Sequence, residues 1–386
     1  MLRRQFVSLA SCATAVVSAP VWVRQACAQE AGLSANTLTV GCSAATTGPL
    51  ASSGIDIQRG TEAAMAQINA RGGIHGRTLQ LLMMDDAYEP ERTASNVKQM
   101  LAQGQVFALL SCFGTPNNQA ILPMVVESGV PYVAPLSGAS SLRKNVRNIF
   151  HVRASYTDEI VRLVQRLTSM GIKNIAVLYQ DNSYGKEMLA DATRALAEQG
   201  HQPALQVAVA TDGKNQADAV AQVAQVAKVR PAAVLLATAG TVSVALVRGL
   251  RKSAPGVLLA GLSPTLPSDS LKQLGEDASG MALSMVVPDA HRAKLQLVRD
   301  YQGAMRALGY QDFTQGSLEA YVNTRVLAEG LERTGRDPQQ VRLNAALGAI
   351  RNWNLGGFTV DYSGQTPFVG SRFLDLGVLG GSGRFA

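Results

Sequence analysis

The strongest constraint in this sequence is an alternation. Short apolar runs that read as β-strands are separated by longer stretches with helical spacing. LTVGC (38–42), LQLLMMD (79–85), VFALLSC (106–112) and YVAP (132–135) alternate with helical stretches at about 55–70, 90–102 and 117–127. A second set follows, with NIAVLY (174–179), LQVAVA (205–210), AAVLLA (232–237) and VLLAGL (257–262) separated by helical stretches at about 185–198, 215–227 and 242–252. Short strands apolar on both faces must be covered on both sides, and alternation with helices supplies that cover through βαβ units. The expected fold class is α/β, with two doubly wound parallel-sheet lobes. The seam is expected within FHVRASYTDE (150–159), and the last third, at about 289–308, 316–332 and 338–352, reads as helical and could complete either lobe. Two strand-like pieces, FTVDY (358–362) and SRFLDLGVL (371–379), close the pattern.

The 386 residues exceed one ordinary domain, which agrees with two lobes. Charged residues make up 16%, apolar residues 47% and aromatics 5%, a globular balance. Residues 1–28 read as a cleavable export signal: Arg3 and Arg4, a mildly apolar segment over 6–23, and the small-residue site Ala26-Cys27-Ala28. RRQF resembles a twin-arginine start, and Arg24 fits that route. LASC (9–12) resembles a lipoprotein box but leaves too short an apolar stretch before it. No other stretch is long and apolar enough to span a membrane. The mature chain is therefore expected to be soluble and exported.

The net charge of +7 falls to +4 without Arg3, Arg4 and Arg24, because 32 basic residues then face 28 acidic ones. No run of five basic residues occurs and no aromatics interleave with them, so nucleic acid is excluded as a partner. Outside the signal only Cys42 and Cys112 remain, without metal-ligand spacing. Both close apolar runs, where a cysteine is more often a small buried apolar residue, though an exported protein could bond them.

In open parallel sheets, ligands bind beyond the carboxyl ends of the strands. Three loops rich in glycine and hydroxyls leave the first lobe at that edge: TTGPLASSG (46–54), FGTPNN (113–118) and PLSGASS (135–141). One such loop is ordinary turn chemistry. Three on one rim make a polar small-molecule site, with hydroxyls and free N–H groups facing the space between the lobes. Catalytic signatures are missing: no nucleophile elbow, no phosphate-binding loop, no dinucleotide fingerprint. The four histidines, His75, His151, His201 and His291, are scattered. Asp85 and Asp86 are neighbours on a strand and point to opposite faces, which suits loop anchoring better than acid–base work. Tyr156 and Tyr184 open helices at lobe-facing ends, as cleft lining or as helix-end packing. No cofactor is expected, and a hydrolase on this scaffold lacks a nucleophile–base pair.

INARGGIHGRTLQLLMMDDAYEPERT (68–93) resembles the periplasmic solute-binding proteins of branched-chain amino acid-type ABC importers. GTPNN, VPYVAPLSGASSLR, VRASY and DNSYG continue the match in the expected order. The resemblance implies two lobes joined by a three-segment hinge, the type I periplasmic-binding-protein fold. Lobe 1 is then 36–154 plus 286–362, and lobe 2 is 155–285 plus 363–386. It also implies a non-enzymatic monomer that closes on a small-molecule ligand in the interlobe cleft and docks on an ABC importer permease in the inner membrane. A ligand sensor of the same fold acting on a signalling partner is the alternative.

The ligand-binding positions implied are Ser53 in the first loop, Thr115 as the hydroxyl that holds the ligand's carboxylate, a clamp of Leu136, Ser137, Gly138 and Ala139, and Tyr184. The sequence departs from the family at two cleft positions. GLSPTLP (261–267) offers Ser263 where amino acid binders place a carboxylate for the ligand's ammonium, and TAGT (238–241) offers Ala239 and Gly240 where an aromatic is expected. A buried ammonium without a counter-charge costs several kcal/mol. The expected ligand is therefore a carboxylate or amide with an uncharged other end, not a free α-amino acid, and the small residues at 239, 240 and 263 would leave room for an apolar body.

Overall fold

A computed structural model describes residues 30–210 and 216–386; the export-signal reading of 1–28 lies outside them. The first alternation forms β1 (Thr37–Ala44), α1 (Ala51–Asn69), β2 (Thr78–Asp85), α2 (Pro90–Ala102), β3 (Ala108–Leu110), α3 (Thr115–Ser128), β4 (Tyr132–Val133) and β5 (Ile149–His151). The second forms α4 (Tyr156–Ser169), β6 (Ile175–Gln180), α5 (Ser183–Glu198), β7 (Leu205–Val209), α6 (Gln216–Val229), β8 (Ala233–Ala237), α7 (Thr241–Ser253), β9 (Leu258–Gly261), α8 (Ser268–Leu274) and β10 (Ala282–Met285). The remainder forms α9 (Gln296–Ala307), α10 (Gln315–Thr334), α11 (Gln340–Gly348), β11 (Trp353–Leu355), β12 (Phe358–Val360), β13 (Phe368–Val369) and β14 (Asp375–Val378).

Two six-stranded sheets result, ordered β13-β5-β4-β3-β1-β2 and β14-β10-β9-β8-β6-β7. Every pairing within them is parallel except β10 with β14. The central strands are fully buried, as sheets covered by helices on both faces require. This is the α/β class with two parallel-dominated lobes expected from the alternation.

The late helices complete the first lobe. Leu297, Val298, Tyr301, Leu318, Val322, Leu327 and Leu343 share one core with Leu38, Val40 and Phe107. The expected division differs at one point. Residues 363–386 do not all join lobe 2, because Phe368 and Val369 pair with Phe150 and His151 in the first sheet. Phe368 stacks on Phe150 with ring centroids 4.8 Å apart, so burial of two aromatic faces holds this strand in lobe 1. Only β14 returns to the second sheet. The chain crosses between lobes near 152–155, 286–290 and 370–374.

Helix starts are set locally. Ser155 caps α4, accepting from the Asp158 N–H at 3.0 Å while Asp158 accepts from the Ser155 N–H at 3.2 Å. Asn182 caps α5 by accepting from the Gly185 N–H at 3.1 Å. These caps fix Tyr156 and Tyr184 at the lobe-facing ends of their helices.

Candidate functional site

The lobes touch across the cleft at several places, three of which frame its middle. Glu187 of α5 accepts the Ser140 N–H at 2.5 Å, the Ser141 N–H at 3.2 Å and the Ser141 hydroxyl at 2.7 Å. At a second place Gly240 lies against Pro49 and Leu50. Lys272 of α8 pairs with Asp312 at 2.8 Å at the third. Between these contacts a cavity of about 600 Å³ runs through the cleft, within the range of about 300–1,000 Å³ that holds drug-sized ligands.

Charged side chains line much of the cavity, among them Asp56, Arg153, Arg306 and Glu319. Arg153, in the first crossover, is 3% exposed. Its Nη2 donates to Glu159 Oε1 at 3.1 Å and to the Ser263 hydroxyl, and its Nη1 pairs with Glu319 at 3.5 Å. Arg153 thus joins Glu319 of lobe 1 to Glu159 of lobe 2. Its guanidinium also lies over the Tyr156 ring, 5.0 Å from the centroid. Burial opposes its charge, but Glu319, Tyr156 and Glu159 together hold it firmly protonated.

Glu159 is saturated. Oε1 accepts from Arg153 and from the Ser263 hydroxyl at 3.2 Å, and Oε2 accepts from the Ser263 N–H at 2.9 Å and the Ser284 hydroxyl at 2.6 Å. A carboxylate offers about four lone-pair sites, and all four are used. Glu319 has Arg153 alone, and burial pushes its carboxyl above the usual range despite that partner. The Arg153 Nε–H has no acceptor.

The sequence-derived positions divide into two groups. Ser53, Leu136 and Ser263 line the cavity. Thr115, Ser137, Gly138, Ala139, Tyr184 and Gly240 do not, and here the structure differs from the expectation. The Thr115 and Ser137 hydroxyls bond to each other at 2.8 Å, and Ser137 Oγ accepts the Ala139 N–H at 3.2 Å. Aromatic rings occupy the space beside them. A Cβ on Gly114 would lie 2.4 Å from the Tyr88 ring, and one on Gly138 would lie 2.7 Å from the Tyr156 ring. Ala139 and Tyr184 are in a buried core with Tyr156, the two tyrosine rings meeting edge-on at 5.4 Å. The space expected at Gly240 is taken by lobe 1, since a Cβ there would lie 2.5 Å from Leu50 Cδ2.

The three loops also turn inward. Thr46 and Thr47 donate to Asp85 through both N–H groups, at 2.8 and 3.0 Å, and both hydroxyls, at 3.1 and 2.8 Å, so only Ser53 of this loop faces the cavity. Partial burial opposes the Asp85 charge, but donors from Thr47, Thr46 and Ala87 outweigh it and hold the carboxyl well below its usual range. Asp86 faces the other way, accepting from Ser43 at 2.8 Å, Thr93 at 2.9 Å and the Tyr88 N–H at 2.9 Å. Both acids anchor loops, as the strand alternation implied. In FGTPNN, Asn118 donates to the Cys112 and Gly114 carbonyls at 2.8 Å each. Cys42 and Cys112 are buried free thiols. Among the described residues, no three His, Cys, Asp or Glu side chains group to hold a metal, and no helix is long and apolar enough to cross a membrane.

Sequence reasoning missed Arg153, Glu159 and Glu319. Arg153 stands in the quoted VRASY, and the one available signal was a charge at the seam between lobes. Glu159 and Glu319 lie on otherwise ordinary amphipathic helices, and nothing in their spacing separates them from solvated charges.

Residues 37–368 match the family model for the periplasmic binding protein family. The chain is 31% identical over 166 residues to Leu/Ile/Val-binding protein homolog 3 of Brucella melitensis, covering 42% of this chain and 44% of that protein, so this match spans less than half the relative's length. It is 26% identical over 314 residues to Leu/Ile/Val-binding protein BraC3 of Rhizobium johnstonii, covering 77% of this chain and 80% of that protein. Its fold is similar to that of a substrate-binding periplasmic protein from Ralstonia solanacearum, with a TM-score of 0.83, 28% identity, and coverage of 89% of this chain and 98% of that one. The chain belongs to the periplasmic binding protein family, in agreement with the motifs over 68–185, and that family consists of binding proteins rather than enzymes.

Proposed function

We propose that this periplasmic binding protein captures a small organic solute bearing a carboxylate or amide, with an uncharged remainder, and delivers it to the permease of an ABC importer. The observation that carries the reading is that Arg153 lines the cavity as a firmly held positive charge, whereas every acceptor site of Glu159 beside it is filled. A ligand carbonyl or carboxylate can meet that charge where the guanidinium lines the wall. A ligand ammonium would find no free acceptor on Glu159 at Ser263 and would have to rely on Glu319 or Asp56, two cavity-lining carboxyls whose charge burial opposes. Ser53 supplies a further hydroxyl on the cavity wall. Thr115, Ser137, Gly138 and Ala139 act behind this wall, holding Leu136 in place. Ligand binding stabilises the closed lobe pair by hinge motion, and the closed monomer is the form the permease recognises. Export uses residues 1–28 as a cleavable signal, whose arginine pair resembles that of the twin-arginine route.

Thermal unfolding against amino acids, aliphatic carboxylates, aromatic carboxylates and amides tests this reading. Ligand at a hundredfold excess over Kd adds about 2.7 kcal/mol. The expected result is a shift with carboxylates or amides and none with leucine or valine. A shift with leucine or valine would show that Glu319 or another acid takes the ammonium, and the proposal would fall.

A further inference from the structure

Arg153 is not the only buried charge on the cavity wall. Ser53, Asp56 and Ile57 follow one another at helical spacing on α1, and all three line the cavity. Asp56 is 5% exposed. Two cations whose fields reach it are engaged elsewhere: Arg59 lies over the Tyr310 ring, 5.2 Å from the centroid, and Lys272 pairs with Asp312 at 2.8 Å. The hydroxyls of Ser268, from lobe 2, and Thr314, from lobe 1, donate to the Asp56 carboxylate. A carboxylate offers about four lone-pair sites, so Asp56, unlike Glu159, keeps acceptor capacity that a ligand can fill. A Cβ on Gly316 would lie 3.3 Å from Asp56 Oδ2, and the glycine leaves that side of the carboxyl open.

Burial pushes the Asp56 carboxyl up to about 6, outweighing Ser268, Thr314 and Arg59, which lower it; Asp269 adds to the rise. A hydroxyl suits such a group in both of its states, because it donates to the carboxylate and accepts from the acid. An ammonium is matched by the carboxylate alone and gives up far more hydration than a hydroxyl does.

We infer that the ligand is a hydroxylated carboxylate or amide: its acceptor group meets Arg153, and a hydroxyl carried elsewhere on the same molecule donates to Asp56. Only the Arg153 half rests on the proposed function; the Asp56 half stands on the open carboxyl beside Ser268, Thr314 and Gly316. Asp56 then separates a hydroxylated solute from a plain aliphatic one, since a buried acceptor left without its donor disfavours the wrong ligand.

The test is calorimetric titration of the full chain with ω-hydroxy acids and ω-hydroxy amides, from the butyrate to the octanoate skeleton. Each is run beside its unsubstituted counterpart, the ω-amino acid and the α,ω-diol of equal length. At a matched length the hydroxylated compound should bind about tenfold more tightly than its unsubstituted counterpart. Asp56→Leu should erase that difference. Equal affinities for hydroxylated and unsubstituted compounds at every length would overturn the inference while the Arg153 reading survives. A difference that persists in Asp56→Leu would overturn the assignment to Asp56. Tightest binding by the ω-amino acids would make Asp56 a cation site and overturn the neutral donor. Diols that bind more tightly than the hydroxy acids would keep Asp56 and overturn the Arg153 reading, and binding by none of the series overturns both. Should Asp56→Leu fail to fold, the wild-type pairs still decide.

Discussion

Glu159 and Glu319 contact the same guanidinium, yet removing them should have opposite consequences. Glu159→Leu takes the acceptor away from four donors at once: the Arg153 guanidinium, the Ser263 N–H and hydroxyl, and the Ser284 hydroxyl. Breaking a buried pair from one side typically costs about 3–5 kcal/mol. Glu319→Gln removes a carboxyl whose burial already raises its pKa and whose one ion pair spans 3.5 Å. Arg153 keeps Glu159, so the remaining pair is neutral, and the substitution should be near neutral or stabilising by about 1 kcal/mol. The pH dependence follows from the sign. A carboxyl with a folded pKa above its unfolded value opposes folding when ionised, and that penalty lifts as pH falls through the folded pKa. The advantage of Glu319→Gln over wild type should therefore be largest at neutral pH and vanish in the ordinary glutamate range. Denaturant midpoints for both variants, measured from neutral pH to pH 4, provide the assay. Equal losses, or a Glu319→Gln effect that grows on acidification, would refute this account of the network.

Two further substitutions test closure and loop anchoring. Gly240 has φ +67°, and a Cβ there would lie 2.9 Å from the Pro49 carbonyl oxygen of lobe 1 as well as against Leu50. Gly240→Val should cost stability by about 1–3 kcal/mol, because φ +67° with ψ −140° is a conformation that side chains rarely adopt, and should hold the lobes apart, seen as a larger radius of gyration in small-angle scattering; an unchanged radius would remove Gly240 from the closing surface. Asp85→Ala leaves the Thr46 and Thr47 N–H groups without their acceptor. Amide hydrogen exchange over 46–54 should accelerate at least tenfold, and unaltered protection would mean that the loop is held by packing alone.

The sequence by itself determined the layers. Strands apolar on both faces and separated by helices have few ways to bury themselves, so two parallel sheets were legible without any long-range information. Asp85 and Asp86 were legible as anchors for the same reason, since alternation along a strand sends neighbours to opposite faces. The two-residue strand β13 was not legible, because it is too short to carry a period and its place depends on stacking against Phe150. The site was decided almost wholly by tertiary structure. Ser53, Leu136 and Ser263 reach the cavity, but Thr115 and Ser137 satisfy each other beside Tyr88 and Tyr156, and Leu50 fills the space at Gly240. Arg153 and Glu159 stand six residues apart, on the first crossover and on α4, and Glu319 lies far along the chain on α10. Each is an ordinary charge in its own segment. Packing of both lobes against the first crossover buries them together, and burial is what turns a solvated charge into a group that a ligand must match.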